Sequence, residues 1–112
     1  MEKTYSLIVA IVNNGYTDLV MEGARQGGAK GGTVLTARGT GNIDLEKFYG
    51  IPIQKDKEMV LIIVDNDVKD ECLKNIYKTA GLETKGQGIA FTLPVDNIVG
   101  LSSDTENESV NE

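Results

Sequence analysis

Leu7-Ile8-Val9-Ala10-Ile11-Val12 is an unbroken apolar run, rich in β-branched residues, near the start of a 112-residue chain. A short run of this composition reads as a strand buried on both faces. Asn13-Asn14-Gly15 then turns the chain, and Thr17 or Asp18 is placed to accept bonds from the free amides that open a helix. Within that helix Tyr16, Leu19, Val20, Gly23, Ala24 and Gly27 share one face of a 3.6-residue period. The face ends in small residues, so it is expected to lie close against a sheet.

The pattern repeats further along. Gly27-Gly28-Ala29-Lys30-Gly31-Gly32 breaks the helix, and Thr33-Val34-Leu35-Thr36-Ala37 reads as a second strand. From Arg38 to about Asp56 the periodicity lapses, and a stretch of this length in a compact domain is often functional. Met59-Val60-Leu61-Ile62-Ile63-Val64 is the third strand, and Asp65-Asn66-Asp67 is expected to cap a second helix. That helix carries Val68, Cys72, Leu73, Ile76, Tyr77 and Ala80 on one face and stops at Gly81. After Lys85-Gly86-Gln87-Gly88 comes a last strand, Ile89-Ala90-Phe91-Thr92-Leu93, with Pro94 as its expected end. The order β-α-β-β-α-β predicts the α+β, ferredoxin-like sandwich: an antiparallel four-stranded sheet with both helices on one face. The strands are apolar on nearly every residue, yet the helices cover only one side. Self-association is the simplest cover for the other, which predicts a homo-oligomer.

Composition narrows the function. One domain is expected from the length, with 40% hydrophobic and 25% charged residues. The formal charge of -6 and the lack of a basic stripe argue against nucleic acid, whose binding rests on Lys and Arg neutralising phosphates. Cys72 is the sole cysteine, so no intrachain disulfide forms, as suits a reducing compartment. The N-terminal apolar run is too short to span a membrane and lacks the features of a signal peptide, so a cytoplasmic location without direct membrane insertion is expected. There is no histidine, which removes the usual triads and histidine-metal sites.

Two segments carry a family resemblance. Gly32-Thr33-Val34-Leu35-Thr36-Ala37-Arg38-Gly39-Thr40-Gly41 is similar to the stretch with which PII nitrogen-signalling proteins end their second strand and open the T-loop. Gly86-Gln87-Gly88-Ile89-Ala90-Phe91-Thr92-Leu93-Pro94-Val95 is similar to the signature leading into their fourth strand. The resemblance implies a PII-like domain over 1–101, with a T-loop-like flexible segment at 39–57, followed by an acidic, disordered tail at 102–112. It also implies a homotrimer whose open sheet faces line the axis. An adenine nucleotide (ATP, ADP or AMP) would sit in the clefts between subunits. A target protein, in many relatives a membrane transporter, would be regulated through the loop.

Carried over by position, Thr33 would hold the ribose, while Ile11, Gly39 and Ile63 would border the adenine. Gly41 and the turn Gly86-Gln87-Gly88 would offer backbone amides to phosphates, and Lys57 a charge. The chain also departs from the family. Ile89 replaces the phosphate-binding lysine after the glycine turn, Gly100 and Ser102 stand at two arginine positions, and Asn42 at a third. Each change removes a charge-assisted bond from the phosphate end, which Arg38 would offset in part. The loop is shorter than the family's, and its uridylylated tyrosine has no counterpart. Phe48 and Tyr49 are the candidate partner-docking tip.

Plainer readings stand beside these. The turn at 86–88 also reads as a tight loop, and Gly27-Gly28 with Gly31-Gly32 as a helix end and its loop. Cys72 reads as a small buried hydrophobe, and capping accounts for Asp65, Asn66 and Asp67 without a metal. A non-catalytic regulator is therefore expected, with a nucleotide-independent trimeric interaction module as the alternative and a small ferredoxin-like enzyme as a remote third.

Overall fold

A computed structural model describes residues 4–39, 56–82 and 88–101. The apolar runs become β1 (Tyr5–Asn13), β2 (Thr33–Arg38), β3 (Asp56–Asp65) and β4 (Ile89–Val95); the two 3.6-residue stripes become α1 (Thr17–Gly27) and α2 (Asn66–Ala80). β1 pairs antiparallel with β3 and β4, and β2 pairs antiparallel with β3, giving the order β2-β3-β1-β4. This is the ferredoxin-like architecture expected from the element order. The expectations for 40–55, 83–87 and the tail lie outside the described residues.

Strand alternation divides the opening run between two surfaces. Ile8, Ala10 and Val12 are wholly buried beneath the helices with Val60, Ile62, Val20, Ala24, Cys72 and Ile76. Leu7, Val9 and Ile11 lie on the opposite face, in register with Ile63, Leu61 and Met59 of β3 and with Leu93, Phe91 and Ile89 of β4. Among the described residues no layer covers this second face. Ile63, Ile89, Phe91 and Leu93 are each at least 40% exposed there.

Several local expectations are corrected. β4 runs through Pro94 to Val95, because on an edge strand the missing N–H costs no ladder bond. Neither Thr17 nor Asp18 caps α1: Tyr16 is the N-cap residue and makes no side-chain cap bond. The turn before it is held from a distance, by Gly15 N–H donating to Glu58 Oε1 at 2.9 Å, and locally by Tyr16 N–H to the Asn13 carbonyl at 3.2 Å. At α2 the N-cap is Asp65, again without a side-chain cap bond. Asn66 instead ties the helix start to β1. Its N–H donates to the Thr4 carbonyl at 3.0 Å, its Nδ2 to Thr4 Oγ1 at 2.6 Å, and its Oδ1 accepts from Ser6 Oγ.

The small residues of α1 meet α2, not the sheet. A Cβ on Gly27 would lie 2.6 Å from Cys72 Cα, and one on Gly23 2.6 Å from the Asn75 carbonyl oxygen. Met21 takes the buried place expected of Leu19, which is 36% exposed; Tyr77 is 47% exposed. Gly28, at φ 118°, ends α1 as expected, with Ala29 N–H closing on the Ala24 carbonyl at 2.9 Å.

Candidate functional site

The residues carried over from the sequence fall into separate groups on the chain. The first lies at the open-face end of the sheet where β1 leaves and β3 and β4 enter. Lys57 pairs with Asn13 in register, and its Nζ donates to Asn13 Oδ1 at 2.6 Å. Ile11 follows two residues back on the same face, between Met59 and Ile89. Gly88 sits directly over this strand: a Cβ there would collide with the Ile11 carbonyl oxygen and stand 3.0 Å from Val12 Cα. Its N–H donates to the Leu82 carbonyl at 3.0 Å. Glycine at 88 therefore has a packing reason of its own, beside any role in a ligand turn. Next to it, Ile89 leaves 59% of its surface exposed where the family carries its lysine.

Arg38 lies at the same end but on the other surface. It stands opposite Asp56 across β2 and β3, with Thr36 opposite Glu58, so alternation sets it on the helix side of the sheet, away from Lys57 and Ile11. Gly39 follows directly after β2. Gly41, Asn42, Phe48, Tyr49, Gly86 and Gln87 lie outside the described residues.

The second group, Thr33 and Ile63, lines a cavity of about 540 Å³ at the far end of β3. That volume is within the usual range for small-ligand sites, roughly 300–1,000 Å³. Tyr5 and Leu7 of β1, Asp65 at the end of β3, Val68 of α2, Leu101 and the Gly28–Gly32 loop also line it, with Lys30 on that loop. In sequence these glycines read as a helix end and its loop. The cavity joins residues far apart in the chain, from Tyr5 to Leu101, and its only local signal is two glycine pairs bracketing a lysine.

The two groups do not meet within one chain. Met59 pairs with Ile11, and Ile63 lies four residues further along β3, about 13 Å at the ordinary strand rise. Lys57 and Ile63 are about 20 Å apart on the same measure. A single adenine ring cannot border Ile11 and Ile63 of the same subunit.

Among the described residues no group of three or more Cys, Asp or Glu side chains is arranged to hold a metal. Cys72 is wholly buried, its thiol donates to the Ala24 carbonyl at 3.4 Å, and burial pushes the thiol above its ordinary pKa. Neither described helix is long and apolar enough to cross a membrane.

Comparison with known proteins bears on the family and the fold. The family described as nitrogen regulatory protein P-II matches residues 5–105. Among solved structures, Arabidopsis thaliana PII bound to citrate matches with a TM-score of 0.64 at 22% identity, over 88% of this chain and 81% of that one. At that identity the likeness speaks for the fold. No curated protein matches the sequence. The family match spans nearly the whole chain, including both segments that carry the resemblance, and the protein belongs to the nitrogen regulatory protein P-II family of signal-transduction regulators.

Proposed function

We propose that the protein is a cytoplasmic homotrimeric regulator that binds an adenine nucleotide in each of its inter-subunit clefts and controls a target protein through the loop at 39–57. One observation carries this reading: Ile11, Lys57 and Gly88 lie at one end of the open face, while Thr33 and Ile63 lie around a cavity about 13–20 Å away. A ligand that uses both groups needs one from each of two subunits. The open face supplies the means, because an apolar sheet surface of this kind calls for a covering partner, and another copy of the chain is the simplest one.

The nucleotide acts by shifting populations. It must contact one arrangement of the loop better than the other, since a ligand moves an equilibrium only by its differential affinity. Phe48 and Tyr49 are the residues proposed to meet the target, with a membrane transporter as one class of target. No catalytic step is invoked. The second reading, a trimeric interaction module that needs no nucleotide, is favoured by Ile89, which puts an exposed apolar side chain where the family has a cation.

Calorimetric titration with AMP, ADP and ATP, alongside mass by light scattering, separates the two. Saturable binding at three sites per trimer supports the regulator. A trimer that binds none of the three leaves the interaction module.

A further inference from the structure

We infer that the cavity at the Thr33 end of β3 binds a free α-amino acid with a large apolar side chain, its ammonium met by Asp65 and its carboxylate by Lys30. This site is contained within one chain and does not depend on the nucleotide reading, although Thr33 and Ile63 belong to both.

The charged end is placed by the loop between α1 and β2. A Cβ on Gly28 would lie 3.2 Å from Val68 Cγ1 of α2, and one on Gly32 2.9 Å from Ile62 Cγ1 of β3. The loop therefore flanks the junction where β3 passes into α2, and Asp65 is the last residue of β3 there. The strand register agrees. Thr33 pairs with Leu61, and because β2 and β3 are antiparallel the chain before Thr33 runs back toward Val64 and Asp65. Lys30 is the middle residue of this loop and is exposed. Among the described residues Lys30 and Asp65 are the charged groups of the cavity wall, one of each sign.

The rest of the wall is apolar. Leu7 and Ile63 stand opposite each other on the open face, and Leu61 lies two residues along the same face. Val68 and Leu101 join them around the cavity. Its volume of about 540 Å³ accommodates an aromatic or branched aliphatic amino acid. Such a molecule carries both charges on one carbon, directly beside its apolar body, and the wall presents its groups in the same order. A ligand with a single charge leaves Asp65 or Lys30 unmatched and gains one charge-assisted bond fewer.

The test is calorimetric titration of the full chain at neutral pH with phenylalanine, glycine, phenylpropionate and phenethylamine. Glycine keeps both charges without the body, and the other two keep the body with one charge each. Phenylalanine is expected to bind at least about tenfold tighter than any of the three. The titrations are repeated on Lys30→Gln and Asp65→Asn, after light scattering and thermal melting show that each keeps the wild-type mass and fold. Lys30→Gln is expected to erase the advantage of phenylalanine over phenethylamine, and Asp65→Asn its advantage over phenylpropionate. Phenylalanine that binds no tighter than glycine, or than either singly charged analogue, overturns the inference. So does a Lys30→Gln protein that keeps the full preference. Failure of all four ligands overturns it as well, while the nucleotide reading keeps its own separate titration.

Discussion

At the scale of single residues, Cys72 illustrates how packing removes chemistry that the sequence leaves open. A thiol on a helix is a nucleophile only as thiolate, and burial is the largest influence on this one, disfavouring the charged form. Glu71 adds to the rise, and a backbone hydrogen bond from Ala29 opposes it. The folded pKa thus lies above the unfolded one, and the sign of the linkage follows. Below the unfolded pKa both states hold the proton, and the group adds no pH dependence. As pH rises past the unfolded value, only the unfolded chain loses its proton, so stability falls. Native protein is therefore expected to resist a thiol reagent such as Ellman's at pH 8 and to react fully once urea unfolds it. Rapid reaction of the native protein would show that α2 opens far more readily than its buried contacts imply.

At the scale of elements, the contact between α1 and α2 depends on two glycines one helical turn apart. Ala normally favours a helix over Gly by about 1 kcal/mol. At Gly27 the new methyl would meet the backbone of Cys72 at 2.6–2.7 Å, where no side chain can rotate away. The helices must part, at a cost of about 1–3 kcal/mol. Gly27→Ala is expected to lower the melting temperature by roughly 5–15 °C, while Gly31→Ala, with nothing within 4 Å of its new methyl, leaves it unchanged. Equal melting temperatures for the two variants would refute the close packing. The same pair marks how far the sequence could be read. Runs such as Leu7–Val12 and Met59–Val64, separated by glycine and polar turns, reveal strands and their order because the signal is local. A 3.6-residue stripe reveals a face but not its partner, so Gly23 and Gly27 were assigned to the sheet. The caps failed for a related reason. Glu58 holds Gly15, and Asn66 joins Thr4 and Ser6, through contacts between residues 43 and 60 or more positions apart. The cavity around Lys30 is hidden in the same way, being assembled from four distant segments.

At the scale of the whole molecule, the separation of the two residue groups makes a prediction about assembly that no single-chain site would share. In the proposed cyclic trimer, with its head-to-tail interfaces, each cleft would take the Ile11–Lys57–Gly88 group from one subunit and the Thr33–Ile63 group from the next. Lys57→Glu damages the first half and leaves the second intact; Thr33→Asp does the reverse by adding a carboxylate to the cavity wall. Each variant alone forms trimers in which every cleft contains a damaged half, so each is expected to lose nucleotide binding. When the two are unfolded together and refolded, subunits mix at random. About one cleft in four then joins an intact half from each variant and recovers wild-type affinity. Calorimetry on the mixed trimers reads this directly as a binding stoichiometry near a quarter of the wild-type value. A site contained within one chain would recover nothing, because every chain in the mixture still carries its own lesion. Recovery of the mixed trimer and silence of both parents would therefore place the ligand between subunits, independently of which nucleotide is used. The quarter stoichiometry also guards against a trivial explanation: mutual stabilisation of two weak variants would raise affinity in all clefts by a little, rather than restore a fraction of them in full.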